Sequence, residues 1–342
     1  MQTAIYDYLL PPELIAHTPL LRRDQSRLLS VSLSKKTLSH GVFSDITTLL
    51  GPQDVLILND TKVIKARLFA HKSTGGKVEL FVLSPLSYSR WQVLITPSKR
   101  IRLGETLKIA EGFFATPIQK METGFEVEFT SELSFYEALE AWGEVPLPPY
   151  IHPGSESANA YRERYQTIVA QHEGAIAAPT AGLHFTQDLL TALRSKGVHI
   201  ETVTLHVGYG TFRPIQTETL DEHMMHSERY SIAVDTAQRL NEAKKSGKRL
   251  IAVGTTVTRA LETASHEGEI HAGEGKSNLF IRPGYSFKSI DGLITNFHLP
   301  KSTLLVLVST FAGKPLVDRA YQAAIAERYR FYSFGDAMVM LP

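Results

Sequence analysis

Residues 54–60, with the sequence DVLILND, decide the fold, because a continuous apolar run of strand length ends there in two polar side chains. Runs of this kind are typical of a strand that is buried on both faces of an α/β sheet. The chain then changes at once, and from residue 62 onward it has the pattern of short one-sided strands. We therefore predict a barrel that is inserted into an α/β domain directly after a buried strand.

Residues 62–130 alternate apolar and polar positions over short stretches. The segment 125–129, FEVEF, places its apolar residues on one face and its glutamates on the other, and the segments 78–82 and 91–95 follow the same period of two. Glycines mark the turns between these segments. Six short strands with turn signals this close predict a small antiparallel β-barrel.

The end of the barrel is marked by a proline-rich stretch. A helical pattern over residues 135–142 ends at a glycine, and residues 145–149 read Val-Pro-Leu-Pro-Pro, which cannot join a sheet. Beyond this linker, strands alternate with helices, as in a layered and mostly parallel sheet. We predict the α/β class, with a discontinuous α/β domain of residues 1–60 and 150–342 and an inserted small antiparallel β-barrel domain of residues 61–149.

The composition restricts the chemistry. The chain of 342 residues has no cysteine, which excludes disulfides, thiol nucleophiles and thiolate metal sites. Its first residues lack the cationic start and apolar core of a signal peptide, and its longest apolar run, Leu304–Val308, is far too short to span a bilayer. We expect a soluble cytoplasmic protein that does not associate with membranes.

The net charge of +1 hides an uneven distribution. Residues 62–110 carry ten Lys or Arg against two Glu, whereas residues 111–144 carry eight Glu against one Lys. A basic face is the electrostatic signature of a protein that binds a polyanion. A solvated strand face would give the same counts, so the charges alone leave both interpretations open.

Polar side chains stand at the ends of five of the predicted strands. The strand-end residues are Asn59 and Asp60 for 54–58, Thr180 and His184 for 175–178, His206 for 198–207, the Gly254-Thr255-Thr256 turn for 249–253, and Asn296 and His298 for 292–297. Ligands of open α/β sheets bind beyond the carboxyl ends of the strands. A lone histidine at such a place is usually structural, but several converging strand ends predict an active site.

Short motifs add little by themselves. The segment 253–262, VGTTVTRALE, offers hydroxyls at a helix N-terminus, which can bind an anion or merely cap the helix. The segment 298–303, HLPKST, lacks the glycines of a P-loop, and the segment 208–210, GYG, lacks the spacing of a dinucleotide fingerprint. His223 and His226 stand three apart without an evident third ligand, so we expect no metal site.

Nine segments, in one order from the first dozen residues to the last, carry a specific resemblance. They are PPELIAHTP, RDQSRLL, LNDTKVIKARL, APTAGLHFT, HVGYGTFRPI, HMMHSERY, VGTTVTRALE, TNFHLPKSTLLVLVSTFAG and YRFYSFGDAMVML. In these segments the chain resembles the S-adenosylmethionine:tRNA ribosyltransferase-isomerase family of queuosine biosynthesis. The resemblance is weakest inside the barrel.

The resemblance implies a fold and a reaction. The family has an α/β domain with an inserted β-barrel. It transfers and isomerises the ribosyl moiety of S-adenosylmethionine onto 7-aminomethyl-7-deazaguanine at the wobble position of tRNA, which yields epoxyqueuosine in the tRNA, adenine and methionine. S-adenosylmethionine is then a substrate, and the resemblance implies no separate cofactor.

The implied reaction requires groups that transfer protons. A base must deprotonate the ribose methylene next to the sulfonium, a donor must protonate the departing adenine, and donors must stabilise the charge on the ribose oxygen. We expect His184 and His298 to be the acid and base, with His206 in reserve. We expect Asp60 or Asp336 to orient an imidazole or to hold the substrate amine, and Asp336 could instead only shape a turn.

Substrate contacts are expected at the strand ends. Arg259 is expected to bind the methionine carboxylate, helped by the amides of Thr255 and Thr256, although it could instead pair only with Glu262. The other expected substrate contacts are Gly254, Asn296, Lys301, Ser302, Tyr209 and Phe212.

The resemblance also implies partners. We expect tRNA with 7-aminomethyl-7-deazaguanine at the wobble position of its anticodon to bind a monomer through its phosphates, at Lys99, Arg100 and Arg102 with Lys72 and Lys77. Three other functions explain part of the pattern: a non-catalytic RNA-binding protein, a metal-dependent hydrolase and a methyltransferase that uses the same small molecule.

Overall fold

The protein is described by a computed structural model that covers residues 1–147, 151, 161, 163–212 and 214–342, with the side chains of residues 211 and 212 outside the described part. The chain forms two compact units. Unit 1 comprises Met1–Thr61, Pro149–His172 and Ala178–Pro342, and unit 2 comprises Lys62–Pro148 and Glu173–Ala177.

The strands are numbered in chain order. They are β1 Arg27–Ser32, β2 Leu38–Val42, β3 Asp54–Asn59, β4 Thr61–Val63, β5 Arg67–His71, β6 Lys77–Pro85, β7 Arg90–Thr96, β8 Leu107–Ala110, β9 Phe113–Lys120, β10 Phe125–Ser131, β11 His172–Ala175, β12 His199–Leu205, β13 Glu228–Ile232, β14 Arg249–Val253, β15 Ser265–His266, β16 Glu269–Ile270, β17 Gly273–Ser277, β18 Gly292–Asn296 and β19 Ala337–Leu341.

The α-helices of the described residues are numbered in the same way. They are α1 Ile46–Leu49, α2 Phe135–Trp142, α3 Gln187–Ser195, α4 Val234–Lys245, α5 Thr255–Ala264, α6 Thr303–Ala312 and α7 Lys314–Ala326. None of the helices in this part of the chain is long and apolar enough to cross a membrane.

Unit 1 is built on a nine-stranded sheet in the order β17-β13-β12-β3-β14-β18-β19-β1-β2. The four central strands, β12, β3, β14 and β18, are parallel to one another, and the antiparallel pairs lie toward the two edges. β3 is the DVLILN segment, and all six of its residues are buried, as a strand covered on both faces requires. The predicted α/β class with a mostly parallel sheet is confirmed.

The helices of unit 1 are positioned by their apolar faces and caps. Thr186 caps α3 by accepting a hydrogen bond from the amide of Leu189 at 3.2 Å, and Leu189, Leu190 and Leu193 are buried in the core beside β3. The predicted start of this helix at Gln187 agrees with the structure.

One predicted strand has the wrong extent and does not belong to the large sheet. We expected a strand over 175–178, but β11 ends at Ala175 and pairs with β4 in a separate two-stranded sheet. Ala177 and Ala178 belong to no strand, but both are buried, with 3% of each exposed. The apolar run that suggested a strand is therefore explained by burial alone. Pro179 then lacks an amide donor, and the chain turns into a single 3-10 turn over Thr180–His184.

Unit 2 is a closed antiparallel barrel of six strands in the order β10-β7-β6-β5-β8-β9, as the alternating pattern predicts. Its interior is filled by inward-facing apolar side chains such as Leu80, Val93 and Val127, each fully buried. α2 covers residues 135–142, as predicted, and Ser134 and Glu137 form a capping box at its start.

The barrel shows how some of the unevenly distributed charges are arranged in space. Because β7 pairs with β10, Arg90 contacts Glu126 at 3.0 Å and Glu128 at 3.1 Å. A basic residue of one strand and the acidic residues of its neighbour therefore pair across that strand pair. The uneven counts along the chain do not translate directly into a basic face.

Candidate functional site

A cleft with a cavity volume of about 40 Å³ lies in unit 1 at the carboxyl ends of β12, β14 and β18. Its position matches the rule that open α/β sheets bind ligands beyond the strand ends. The lining residues are Ala178, Pro179, Thr180, Ala181, Val207, Gly254, Thr255, Thr256, Thr295, Asn296, His298 and Leu304. We call this the strand-end cleft.

The N-terminus of α5 opens into the strand-end cleft. Gly254 precedes the helix with φ of 92°, a left-handed conformation that favours glycine, and no side chain caps the first amides. The Oγ1 atom of Thr256 is buried and has no hydrogen-bond partner within the described residues. Uncapped amides and an unpaired hydroxyl together form a site that can accept an anionic or polar group of a ligand.

Asn296 brings a second unpaired polar atom to the cleft. Its Nδ2 donates to Nε2 of His184 at 3.1 Å and to the carbonyl of Tyr332 at 3.2 Å. Its Oδ1 is buried and has no partner in the described part of the chain. Because such an oxygen is costly to leave unpaired in the interior, its natural partner is a donor on a ligand.

His184 lies behind Asn296 and is held on all sides. Since Nε2 accepts from Asn296, the proton of the neutral ring is on Nδ1, which donates to Ser26 Oγ at 2.7 Å. The ring stacks on Phe43 with centroids 4.8 Å apart. Burial, together with the charges of nearby arginines, lowers the pKa of His184 to about 3. In this geometry His184 orients Asn296, and proton transfer by His184 requires one of its two hydrogen bonds to break.

His298 lines the cleft directly. Its Nε2 shares a hydrogen bond of 2.8 Å with Oγ1 of Thr295, and no described residue is bonded to its Nδ1. Its backbone amide donates to the hydroxyl of Tyr321 at 2.9 Å, which fixes the position of the residue. Burial lowers the pKa of His298 to about 3, so the ring is neutral near pH 7 and can accept a proton.

Asp60 and His206 form a separate polar group at the ends of β3 and β12. Asp60 Oδ1 accepts from Thr204 at 2.6 Å, and Nδ1 of His206 is 2.8 Å from Oγ1 of Thr61. Burial, Arg229 and a nearby histidine lower the pKa of His206 to about 4. Neither Asp60 nor His206 lines the strand-end cleft or bonds to the imidazoles of His184 and His298.

Arg259 is engaged inside the protein. It forms a buried ion pair with Glu228 and donates to the carbonyls of Ser277 at 3.1 Å and Leu279 at 3.3 Å. Its partner is thus Glu228 and not the expected alternative Glu262, whose carboxylate accepts from the amide of Ser289 and from other groups of that loop. Arg259 does not line the cleft, so binding of a carboxylate there would require the ion pair to separate.

Both carboxylate oxygens of Asp336 are hydrogen-bonded to the backbone. Its two oxygens accept from the amides of Arg27 at 2.8 Å and Arg330 at 2.7 Å, and 1% of the residue is exposed. Burial raises the pKa of Asp336 above its ordinary value. The structure therefore gives Asp336 the turn-shaping position that was its alternative, and it orients no imidazole in this conformation.

The remaining expected substrate contacts lie outside the cleft lining. Ser302 caps α6 through the amide of Leu305 at 3.1 Å, and Lys301 pairs with Asp7 at 2.7 Å. Tyr209 is 37% exposed on the turn after β12. The side chain of Phe212 lies outside the described residues.

The expected tRNA contacts divide into two groups. Lys72 is half-buried and pairs with Glu105 at 3.3 Å, and the Lys77 ammonium lies 4.3 Å from the centre of the Phe69 ring. The other group, Lys99, Arg100 and Arg102, is exposed on the loop between β7 and β8, and the side chains form no ion pair with a described residue. Of the five residues, only Lys72 forms an ion pair with a described carboxylate, and the loop carries three of the four remaining charges.

The sequence reasoning missed the partners that hold the histidines. Ser26 lies in the RDQS segment and Thr295 begins the TNFH segment, so both stood in segments that carried the resemblance. A hydroxyl three positions before a histidine was the one local signal for Thr295. Ser26 is 158 positions from His184, and no local pattern could connect them.

Comparisons with known proteins give a consistent result. The model of a family described as queuosine biosynthesis protein matches residues 3–340. Among solved structures, the chain is similar to the S-adenosylmethionine tRNA ribosyltransferase from Thermotoga maritima, at 36% sequence identity and a TM-score of 0.57. That alignment covers 98% of this chain and 100% of the other.

Proposed function

Because the chain belongs to the queuosine biosynthesis protein family, we propose that it transfers the ribosyl moiety of S-adenosylmethionine to tRNA and isomerises it there. The proposed acceptor is the amine of 7-aminomethyl-7-deazaguanine at the wobble position. The products are epoxyqueuosine in the tRNA, adenine and methionine, and a neutral amine makes the reaction release one proton overall. We propose that a monomer acts on tRNA in the cytoplasm.

One observation carries the proposal for this chain. The strand-end cleft contains the uncapped amides of α5, the unpaired atoms Thr256 Oγ1 and Asn296 Oδ1, and the ring of His298. S-adenosylmethionine has a carboxylate, hydroxyls and an adenine amine that complement these groups. The amides of α5 suit the methionine carboxylate, and Asn296 Oδ1 suits an N–H or O–H donor of the substrate.

His298 is proposed as the group that moves protons. The sulfonium acidifies the ribose methylene, and an unprotonated imidazole next to the substrate can take a proton from it. Adenine leaves with the electron pair of its bond to the ribose and is protonated on a ring nitrogen, and methionine leaves with the pair of the carbon–sulfur bond. Thr255 and Thr256 line the cleft, and we propose that their hydroxyls donate to the ribose oxygen as its ring opens.

The other expected acid–base residues take supporting roles in this proposal. His184 orients Asn296 through the bond between Nε2 and Nδ2, and Asp60 with His206 forms a polar group at neighbouring strand ends. S-adenosylmethionine is consumed as a substrate, and the proposed reaction uses neither a cofactor nor a metal ion.

The test is incubation of the protein with S-adenosylmethionine and precursor-bearing tRNA, followed by mass spectrometry of the nucleosides. The proposal requires epoxyqueuosine in the tRNA with free adenine and methionine. S-adenosylhomocysteine would identify a methyltransferase, and loss of activity on addition of a chelator would favour a metal-dependent enzyme. His298→Gln should abolish turnover, whereas His266→Gln, an exposed residue on the β15–β16 hairpin, should leave it unchanged.

A further inference from the structure

A second pocket, with a cavity volume of about 30 Å³, lies in unit 1, on the other side of the bond between His184 and Asn296 from the strand-end cleft. His184 lines this pocket and Asn296 lines the cleft. Arg23 and Arg164 also line the pocket, together with Ser26 and the turn at Phe334. We call it the arginine pocket.

The positive charges of the arginine pocket have no acidic partner among the described residues. Arg23 donates to the carbonyls of Gln166 at 2.7 Å and Glu163 at 3.2 Å. Arg164 donates to the carbonyls of Leu20 and Leu21. Neither guanidinium forms an ion pair with a described carboxylate. Backbone carbonyls fix the directions of these groups, but they do not neutralise the charges.

A third arginine, Arg330, adds to the same field. Its guanidinium donates to the carbonyl of Thr18. The two oxygens of the neighbouring Asp336 carboxylate accept from the backbone amides of Arg27 and Arg330. The positive charges also lower two pKa values. The pKa of Arg23 is lowered first by burial and then by Arg164. The pKa of His184 is lowered first by burial and also by Arg23 and Arg330.

Two guanidinium nitrogens in this cluster lack acceptors. Nε of Arg164 and Nη1 of Arg330 are buried and have no hydrogen-bond partner within the described residues. Buried N–H groups of a cation are costly to leave unpaired, and like charges held close together repel. An oxyanion bound here would relieve both costs.

We propose that the arginine pocket binds a phosphodiester group of the RNA substrate. The rival oxyanion in the proposed reaction is the carboxylate of S-adenosylmethionine, which carries an ammonium group beside it. The described residues of the pocket offer no carboxylate for that ammonium, and three arginines repel it. A phosphodiester has no attached cation, and arginine binds its oxygens in a bidentate way. The RNA identity of the ligand rests on the proposed function.

The experiment measures the affinity of the full-length protein for precursor-bearing tRNA, without turnover, over a series of salt concentrations. Arg164→Gln should weaken tRNA binding about tenfold and reduce the slope of log K against log salt by about 0.7–0.9, the value of one phosphate contact. The affinity for S-adenosylmethionine, measured by calorimetry, should change less than twofold. Arg164→Lys keeps the charge and should recover most of the slope.

The matched control is Arg194→Gln, which removes an exposed arginine from α3 in the same unit. Losses in Arg164→Gln no larger than in this control would overturn the proposal, as would an equal loss of S-adenosylmethionine affinity. Failure of Arg164→Lys to recover the slope would assign Arg164 to the fold alone. If Arg164→Gln does not fold, Arg23→Gln gives the same readout. Because binding is measured without turnover, absence of epoxyqueuosine would count against the proposed function and leave this result standing.

Discussion

Replacement of Thr256 by valine should change stability and ligand affinity in opposite directions. Its Oγ1 is buried without a partner, so the folded protein without ligand bears the cost of dehydrating an unpaired hydroxyl. Thr256→Val keeps the shape and removes that cost, which is worth about 1–3 kcal/mol. The free energy of unfolding, measured in urea without ligand, should therefore rise.

The same change should weaken S-adenosylmethionine binding. If the ligand pairs with Oγ1, loss of one neutral hydrogen bond costs about 0.5–1.5 kcal/mol, or about 2- to 10-fold in Kd by calorimetry. The matched control is Thr258→Val, two residues along α5, whose hydroxyl donates to the Gly254 carbonyl at 3.2 Å. The control should lose stability and keep its affinity. A fall in stability of Thr256→Val with an unchanged Kd would refute the reasoning.

Three further predictions follow from the charges and the buried histidines. Burial lowers the pKa values of His184 and His298 to about 3. The unfolded state therefore binds more protons than the folded state between pH 6.5 and 3. As pH falls through that window, each group should reduce the free energy of unfolding by about 1 kcal/mol per pH unit. Urea titrations at several pH values check this, and a flat profile over that window would contradict it. Charge reversal at Lys99 and Arg100 should raise the KM for tRNA while the Kd for S-adenosylmethionine stays the same, and equal losses in both would count against the exposed loop as an RNA contact. Asp336→Asn should lower the free energy of unfolding, measured in urea, by about 1–3 kcal/mol. The reason is that the amide replaces one of two acceptor oxygens with a donor that faces a backbone N–H. An unchanged urea midpoint would show that the two contacts are dispensable.

The parts of the fold that were predictable are those with a local signal. The alternation in FEVEF and its neighbours predicts the barrel strands, and the buried DVLILN run predicts the central strand β3. β11 was misplaced because a run of small apolar residues is compatible with either a strand or a buried loop, and only its pairing with β4 decides. The sequence carries no local mark of that pairing.

The sequence predicts where the site residues lie, at the ends of strands, much better than it predicts the role of each residue. The residues of the α5 N-terminus, Asn296 and His298 all line one cleft, as polar strand ends should. The role expected for Arg259 depended on its partner, and Glu228 lies 31 positions away, whereas the local rule of three or four positions suggested Glu262. His184 likewise owes its hydrogen bonds to Ser26 and Asn296, which are distant in sequence.

The central claim is that the strand-end cleft is where S-adenosylmethionine binds. The most direct measurement is a crystal structure of the protein with that ligand. We predict that a ligand oxygen or nitrogen lies within hydrogen-bonding distance of both Thr256 Oγ1 and Asn296 Oδ1, with the ribose next to His298. Well-defined ligand density elsewhere in unit 1, with these two atoms still unpaired, would contradict the claim.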